Sequence, residues 1–339
     1  MAEKRELQMK EITEQLEQGV KELFTSEMYT EYLRTMSQFH NYSFNNTLLI
    51  AMQKPDATLV AGYQAWQKKF KRQVRRGEKA IQIIAPAPIR EKQEVEKIDP
   101  ETQEPVLRFD GQPETEEVEI VIPRFRVASV FDISQTDGEP LPELETPELM
   151  GSVENFKVFM KAVQEVSPVP VRFDEISSGA KGYYSNTEKE IVIQNGMSES
   201  QTMKTGIHEV THAMLHDRDF MEEQGEKKNQ MTKEVEAESV AYTVCQYFGL
   251  DTSDYSFPYI AGWSSSMDMK ELRTSMDTIR KTAGSFIDSM TEVIQRLMRE
   301  QPELSLSAMK QAEILIDRVE QERTLFSGEE RKSAGQLCV

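Results

Sequence analysis

The sequence predicts an α+β protein: a helical and β region at the N-terminus, then a second region of strands and helices that ends in additional helices. Three observations carry that class. Apolar residues recur every three to four positions near the N-terminus, short β-branched runs are bounded by Gly and Pro, and two histidines sit four apart in a helical pattern near residue 210.

The first region opens with Ile12, Leu16, Val20 and Phe24 at four-residue spacing, continues with Tyr29, Leu33, Met36 and Phe39, and adds a third segment from Ser43 with Leu48, Leu49, Ile50 and Met52. This periodicity predicts three short helices. Val118, Ile120, Ile122, Phe125, Val127 and Val130 predict one or two strands between Val118 and Ile133, paired with Ala80 to Ile84. The stretch of about 91–117, rich in Glu and Pro, is then an insertion in a hairpin, and it reads as loop. The expected division is a first domain over 1–135, a linker over 136–150, a second domain over 151–326 and a disordered tail over 327–339. In the second domain an amphipathic helix (Val153, Phe156, Phe159, Met160, Val163) precedes strands near Val169 to Phe173, Gly182 to Ser185 and Glu190 to Gln194. Helices follow at about 198–217 and 232–249, and long helical patterns run from Met269 to Met298 and from Leu304 to Leu325.

Composition narrows the function. The 339 residues are 38% hydrophobic and 29% charged, with a mean hydropathy of −0.57, and no window approaches the roughly 18 uncharged apolar residues of a membrane span. Met1-Ala2-Glu3-Lys4-Arg5-Glu6 has no apolar run behind it, so nothing marks the chain for export. Two cysteines, Cys245 and Cys338, form no disulfide framework and fit a reducing, cytoplasmic setting. The net charge of −18 argues against nucleic acid until it is divided along the chain. Residues 1–90 hold 14 basic and 10 acidic side chains, whereas 91–150 hold 5 and 17.

Three of the four histidines lie in His208-Glu209-Val210-Thr211-His212-Ala213-Met214-Leu215-His216, which contains HExxH. Residues four apart lie one above the other on a helix, so His208 and His212 can face one ion while Glu209 takes a proton from an attacking water. Ser198 and Gln201 suggest a capping box, and Met203, Ile207, Val210 and Met214 form the apolar stripe opposite the polar cluster. His216 lies about 12 Å along an unbroken helix from His208, too far to share an ion bound at about 2 Å, and reads as a C-terminal residue favoured by the helix dipole. A third ligand is expected from Lys233-Glu234-Val235-Glu236-Ala237-Glu238, about 25 residues downstream. Periodicity leaves Glu234, Glu236 and Glu238 open.

The runs GYYSNTEKEIVIQNGMSESQTMKTGIHEVTHAMLH (182–216) and EVEAESVAY (234–242) resemble the IrrE/ImmA-type zincin domain, in which a Glu-Ala pair on the following helix gives the third ligand. That resemblance implies Glu236, with Ala237 and Ala241, as the match, a Zn²⁺ cofactor held by His208, His212 and Glu236, and Glu209 as the catalytic base. Asn commonly follows the Glu-Ala pair in those domains, where this chain has Glu238.

Between residues 68 and 79 lie Lys68, Lys69, Lys71, Arg72, Arg75, Arg76 and Lys79 with one acid, Glu78, beside Tyr63, Trp66 and Phe70. Cations that track phosphates and rings that stack on bases suit single-stranded DNA; a solvated face with Trp66 and Phe70 in the core is the plainer alternative. The segment HNYSFNNTLLIAMQKPDATLVAGYQAWQKKFKRQVRRGEKAIQIIAP (40–86) resembles the N-terminal domain of ArdC-type antirestriction proteins of conjugative plasmids and transposons, which binds single-stranded DNA and is fused to a zincin domain. The acidic insertion and the chain beyond residue 300 depart from that pattern. His40 and Asn46 fall in the matching run, where a structural role and a DNA contact are both open.

The resemblance implies a cytoplasmic mobile-element antirestriction protein that binds single-stranded DNA and carries a zinc metallopeptidase domain, with a repressor or a restriction component as a protein substrate and no membrane partner. Two other functions use the same residues. One is a regulatory zinc protease that cleaves a repressor. The other is a DNA-binding protein whose metal only braces the fold, although a structural site has no need of Glu209.

Overall fold

The computed structural model describes residues 2–300 apart from 100–102, 110, 142–152, 226, 254 and 256. Three helices begin it: α1 (Ala2–Leu23), α2 (Ser26–Gln38) and α3 (Phe44–Gln53). Thr25 caps α2 and Ser43 caps α3 through their hydroxyls. Of the residues that predicted these helices, Ile12, Leu16, Val20, Phe24, Tyr29, Leu33, Met36, Phe39, Leu48, Leu49 and Ile50 are buried and Met52 is half-buried.

A small sheet of order β1-β6-β3 follows, from β1 (Val60–Gly62), β3 (Ile81–Pro86) and β6 (Phe125–Asp132), all antiparallel. Asn46 on α3 binds Ile84 of β3 through both backbone groups, at 2.8 Å each, and so fastens the helices to the sheet edge. A short helix α4 (Tyr63–Lys68) leads to β2 (Arg72–Val74), which pairs with β7 (Thr136–Gly138). Part of the expected linker is therefore a strand; 142–150 of it lies outside the described residues, as do the helical pattern from Leu304 and the tail.

The acidic stretch differs from the expected loop. Beyond the β3–β6 pair the chain continues as a two-stranded ribbon of β4 (Ile89–Glu96) and β5 (Thr115–Ile122), extended by isolated bridges Ile98–Pro105 and Leu107–Pro113. Cross-strand pairs of opposite charge, Arg90–Glu119 at 3.2 Å and Lys92–Glu117 at 3.0 Å, accompany a backbone ladder that needs no apolar face. Composition alone reads such a segment as unstructured.

The second part contains α5 (Val153–Val166), a sheet of β8 (Val171–Asp174), β10 (Glu190–Gln194) and β9 (Gly182–Ser185) in that order, then α6 (Glu199–Leu215), α7 (Arg218–Glu223), α8 (Gln230–Tyr247), α9 (Ile260–Ser265) and α10 (Met269–Glu300). β10 is parallel to β8 and antiparallel to the edge strand β9. Helix α8 lies at the centre, with Val235, Ala237, Val240, Ala241, Val244 and Cys245 all inaccessible, and α2, α6 and α10 pack around it.

The first helices do not form a separate core. Leu16, Val20, Tyr29 and Leu33 belong to the same buried cluster as Val240, Phe257, Trp263 and Met276. The Tyr29 hydroxyl hydrogen-bonds Ser239 Oγ of α8 at 2.8 Å, and its ring meets Phe257 edge-on. Tyr29→Phe should lower stability by about 1 kcal/mol in a urea titration, the usual net value of one buried hydrogen bond. The two tryptophans, Trp66 and Trp263, fall one in each part. In each single-tryptophan variant, Trp66→Phe and Trp263→Phe, fluorescence and helical circular dichroism should give the same midpoint; two separated transitions would mean two independent cores.

Candidate metal centre

Ser198 caps α6 by accepting from Gln201 N–H, while the Gln201 side chain turns to Thr205 and Lys181, so the capping box is half formed. The apolar stripe of α6 docks on α5 and β10, which leaves His208, Glu209 and His212 on the side facing β9 and α8.

His208 Nε2 and His212 Nε2 are 3.1 Å apart, and Glu234 Oε2 is 3.6 Å from each. The point equidistant from these three atoms in their plane lies about 2.0 Å from each, the length of a Zn–N or Zn–O bond. The remaining ring nitrogens are committed elsewhere. His208 Nδ1 donates to Glu238 Oε2 at 3.2 Å, and His212 Nδ1 faces His216 Nδ1 at 2.9 Å. Two imidazole nitrogens and one carboxylate oxygen therefore converge, which is the donor set of a divalent-cation site. Burial acts to lower the basicity of His208, but Glu234 and Glu238, helped by Glu209, outweigh it and push its pKa up to about 10. Positive charge is favoured at that point.

Glu236, the ligand implied by the Glu-Ala pattern, is elsewhere. It is wholly inaccessible, and its carboxylate meets His216 Nε2 at 3.0 Å, Lys228 Nζ at 3.0 Å and Ser275 Oγ at 2.9 Å. Two residues on from Glu234, it leaves the helix about 160° away round the axis, so one conformation cannot point both carboxylates at the histidines. Glu234 and Glu238, four apart, share the face towards α6. His216 is likewise more than a dipole-favoured residue, since its ring lies between His212 and Glu236.

Glu209 is 9% exposed, and Tyr184 of β9 donates its backbone N–H to the carboxylate. Burial raises its pKa, partly opposed by the positive potential of His208 and His212. A cleft of about 350 Å³ opens beside it, lined by Lys181, Gly182, Lys204, His208, Glu238 and Tyr255 among others. β9 comes close to α6 because residue 182 is glycine: a Cβ there would lie 2.6 Å from Thr205 Cγ2 and 3.2 Å from Glu209 Cγ. The other end of β9 is clamped by Asp217, which binds the Tyr184 hydroxyl and Lys189 Nζ and caps α7.

The basic segment is divided by the structure. Trp66 is fully buried, with its Nε1–H donating to Phe131 O at 2.8 Å and its ring against Phe70, so it supports the fold and offers no face to a base. The physical reason is that α4 has only one side to bury, and Trp66 occupies it. Arg72 spends its guanidinium on Thr136 Oγ1, Thr136 O and Glu139 O, which staples β2 to β7. Arg75 binds Glu78 at 2.7 Å and Ser134 O, and Lys71 approaches Glu139 at 3.6 Å. Lys68, Lys69, Arg76 and Lys79 are exposed. Asn46 and His40 are structural: His40 is buried, 3.6 Å from Asp288 of α10 and edge-on to Tyr247.

Residues 2–131 match the family profile described as the N-terminal domain of anti-restriction factor ArdC. This part of the chain is ArdC-like. A curated relative, the uncharacterized protein pXO2-81 of Bacillus anthracis, is 28% identical over 319 residues, which cover 86% of this chain and 52% of that one. The chain thus spans about half the length of the curated relative it matches. The metal-free antirestriction ArdC protein from the R388 plasmid is similar at a TM-score of 0.45 and 21% identity, covering 75% of this chain and 86% of that one. Its Mn(II)-bound structure gives 0.44 and 19%, covering 75% and 85%. Among the described residues no helix is long and apolar enough to cross a membrane.

Two outcomes follow from this geometry. Gly182→Ala should destabilise the protein by about 1–3 kcal/mol in a urea titration, because the added methyl overpacks the junction of strand and helix. Asp217 is held well below the usual carboxylate range by Lys189 and then Tyr184. Its stabilisation is complete above that range and is lost as pH falls below it. Asp217→Asn should therefore lower Tm near neutral pH and flatten the fall of Tm on acidification.

Proposed function

We propose that this is an antirestriction-type protein that joins single-stranded-DNA binding to metal-dependent peptide hydrolysis, with His208, His212 and Glu234 holding one Zn²⁺ and Glu209 as general base. The observation that carries the reading is the convergence of His208 Nε2, His212 Nε2 and Glu234 Oε2 beside a buried carboxylate at the wall of an open cleft. Zinc held there would act as a Lewis acid on the scissile carbonyl and acidify an attacking water.

The chain's own groups do the remainder. The Glu209 carboxylate takes the proton of the attacking water and passes it to the leaving amine. Its raised pKa suits both halves of that transfer. Strand β9 pairs only with β10 among the described strands, and the alternation of the ladder turns the amides of Gly182 and Tyr184 outward. Tyr184 is spent on Glu209; the rest of the edge can accept an extended peptide as a further strand.

For DNA, the match of residues 2–131 supports the reading, and the exposed cations Lys68, Lys69, Lys71, Arg76 and Lys79 are the phosphate contacts of this proposal. Tyr63, 48% exposed at the start of α4, takes the stacking role in place of Trp66. A repressor or restriction component as the cleaved protein, and a cytoplasmic site of action, belong to the same proposal.

Purified protein should bind one equivalent of zinc, and Glu209→Gln should keep metal and fold while losing peptide hydrolysis by about 10²–10⁴-fold; undiminished hydrolysis removes Glu209 from the mechanism. Lys68→Glu combined with Arg76→Glu should weaken binding to oligo(dT) and reduce the log–log salt slope by about 0.7 per lost phosphate contact without lowering Tm. Arg72→Ala should do the reverse and act on Tm.

A further inference from the structure

The buried carboxylate that the metal does not use has a role of its own. We propose that His216 and Glu236 form a positioning relay that fixes the tautomer and orientation of His212, so that its Nε2 lone pair is presented to the ion; this rests on the metal reading above. The path is continuous: His212 Nδ1 to His216 Nδ1 at 2.9 Å, His216 Nε2 to Glu236 Oε2 at 3.0 Å, then Lys228 Nζ at 3.0 Å and Ser275 Oγ at 2.9 Å on the same carboxylate.

The protons in this path have one consistent arrangement. Glu236 is surrounded by donors, and Lys228 balances its charge, so it is an acceptor and His216 Nε2 carries a hydrogen. A second hydrogen on His216 Nδ1 would place another positive charge beside Lys228 and would force the hydrogen of His212 onto Nε2, towards the ion. His216 Nδ1 therefore accepts, His212 Nδ1–H donates, and His212 Nε2 is left as a lone pair.

The backbone makes the contact possible. His216 is the residue at which α6 ends, with φ −121° and ψ 14°, and its ring turns back alongside His212. His216 is 3% exposed and Glu236 is inaccessible, so water does not compete for either bond. The two histidine ligands are thus held differently, His208 by the partly exposed Glu238 directly and His212 through an imidazole by a carboxylate anchored in the core.

The test is zinc affinity by chelator competition on the full chain, with fold checked by circular dichroism, for wild type, His216→Ala, His216→Gln, Glu236→Gln and Glu234→Gln. His216→Ala should keep one zinc per chain at saturation but raise its Kd about 10–100-fold, the usual cost of losing such a partner. His216→Gln, whose amide oxygen can accept from His212, should recover part of the loss, and Glu236→Gln should show a smaller rise. Imidazole ¹⁵N–¹H spectra of the metal-free protein should show His212 as the Nδ1–H tautomer in wild type and as a mixture in His216→Ala, a change that a merely structural role would not produce. Unchanged affinity and tautomer in His216→Ala overturn the relay while leaving the metal reading intact. If His216→Ala does not fold, Glu236→Gln decides by the same two readouts. Loss of stoichiometric zinc in Glu236→Gln but not in Glu234→Gln makes Glu236 the ligand and overturns the relay. Wild type that takes up no zinc overturns the metal reading, and the relay with it.

Discussion

The structure depends on burying a helix that carries three carboxylates. α8 is enclosed by α2, α6 and α10, so Glu236, which no solvent reaches, must be met by partners supplied from outside the helix. The helix meets this constraint with small residues, Ala237, Ser239 and Ala241, which let its neighbours approach closely, and with carboxylates on two faces. One face serves His208 and His212. The other is neutralised by Lys228, Ser275 and His216, because an isolated buried carboxylate would be too costly to keep ionised.

That enclosure ties the two parts of the chain together. The N-terminal helices form one wall of the core in which α8 sits, and Tyr29 bonds directly to it. The basic segment, in α4 and β2, packs on β1, β6 and β7, and the sheet itself is fastened to α3 through Asn46.

Much of this was legible in the sequence where a pattern is long enough to repeat. The apolar spacing in α1 to α3 and the His208–His212 pair mark their elements because one side of each helix is polar. β1, β2 and β7 have three residues each, too few for any period to show. The choice between Glu234 and Glu236 was obscured because α8 carries carboxylates on two faces and buried residues all round, so no single amphipathic period separates them. A signal did exist: Glu234 and Glu238 repeat the four-residue spacing of His208 and His212, as two helices facing across one site require. Trp66 and Arg72 look like a nucleic-acid surface in one dimension, since a ring or guanidinium reads the same whether its partner is a base, a phosphate or the protein's own backbone.

The β4–β5 ribbon has a further effect. It carries a concentration of acidic side chains outward from a sheet whose other end adjoins the lysines and arginines of α4 and β2, so opposite charges are separated along that sheet. A polyanion would repel the ribbon and attract the basic end, which favours one orientation of that sheet before contact. Net repulsion from the overall charge of −18 is then compatible with productive encounters, because orientation at a distance selects the one approach for which the local attraction prevails.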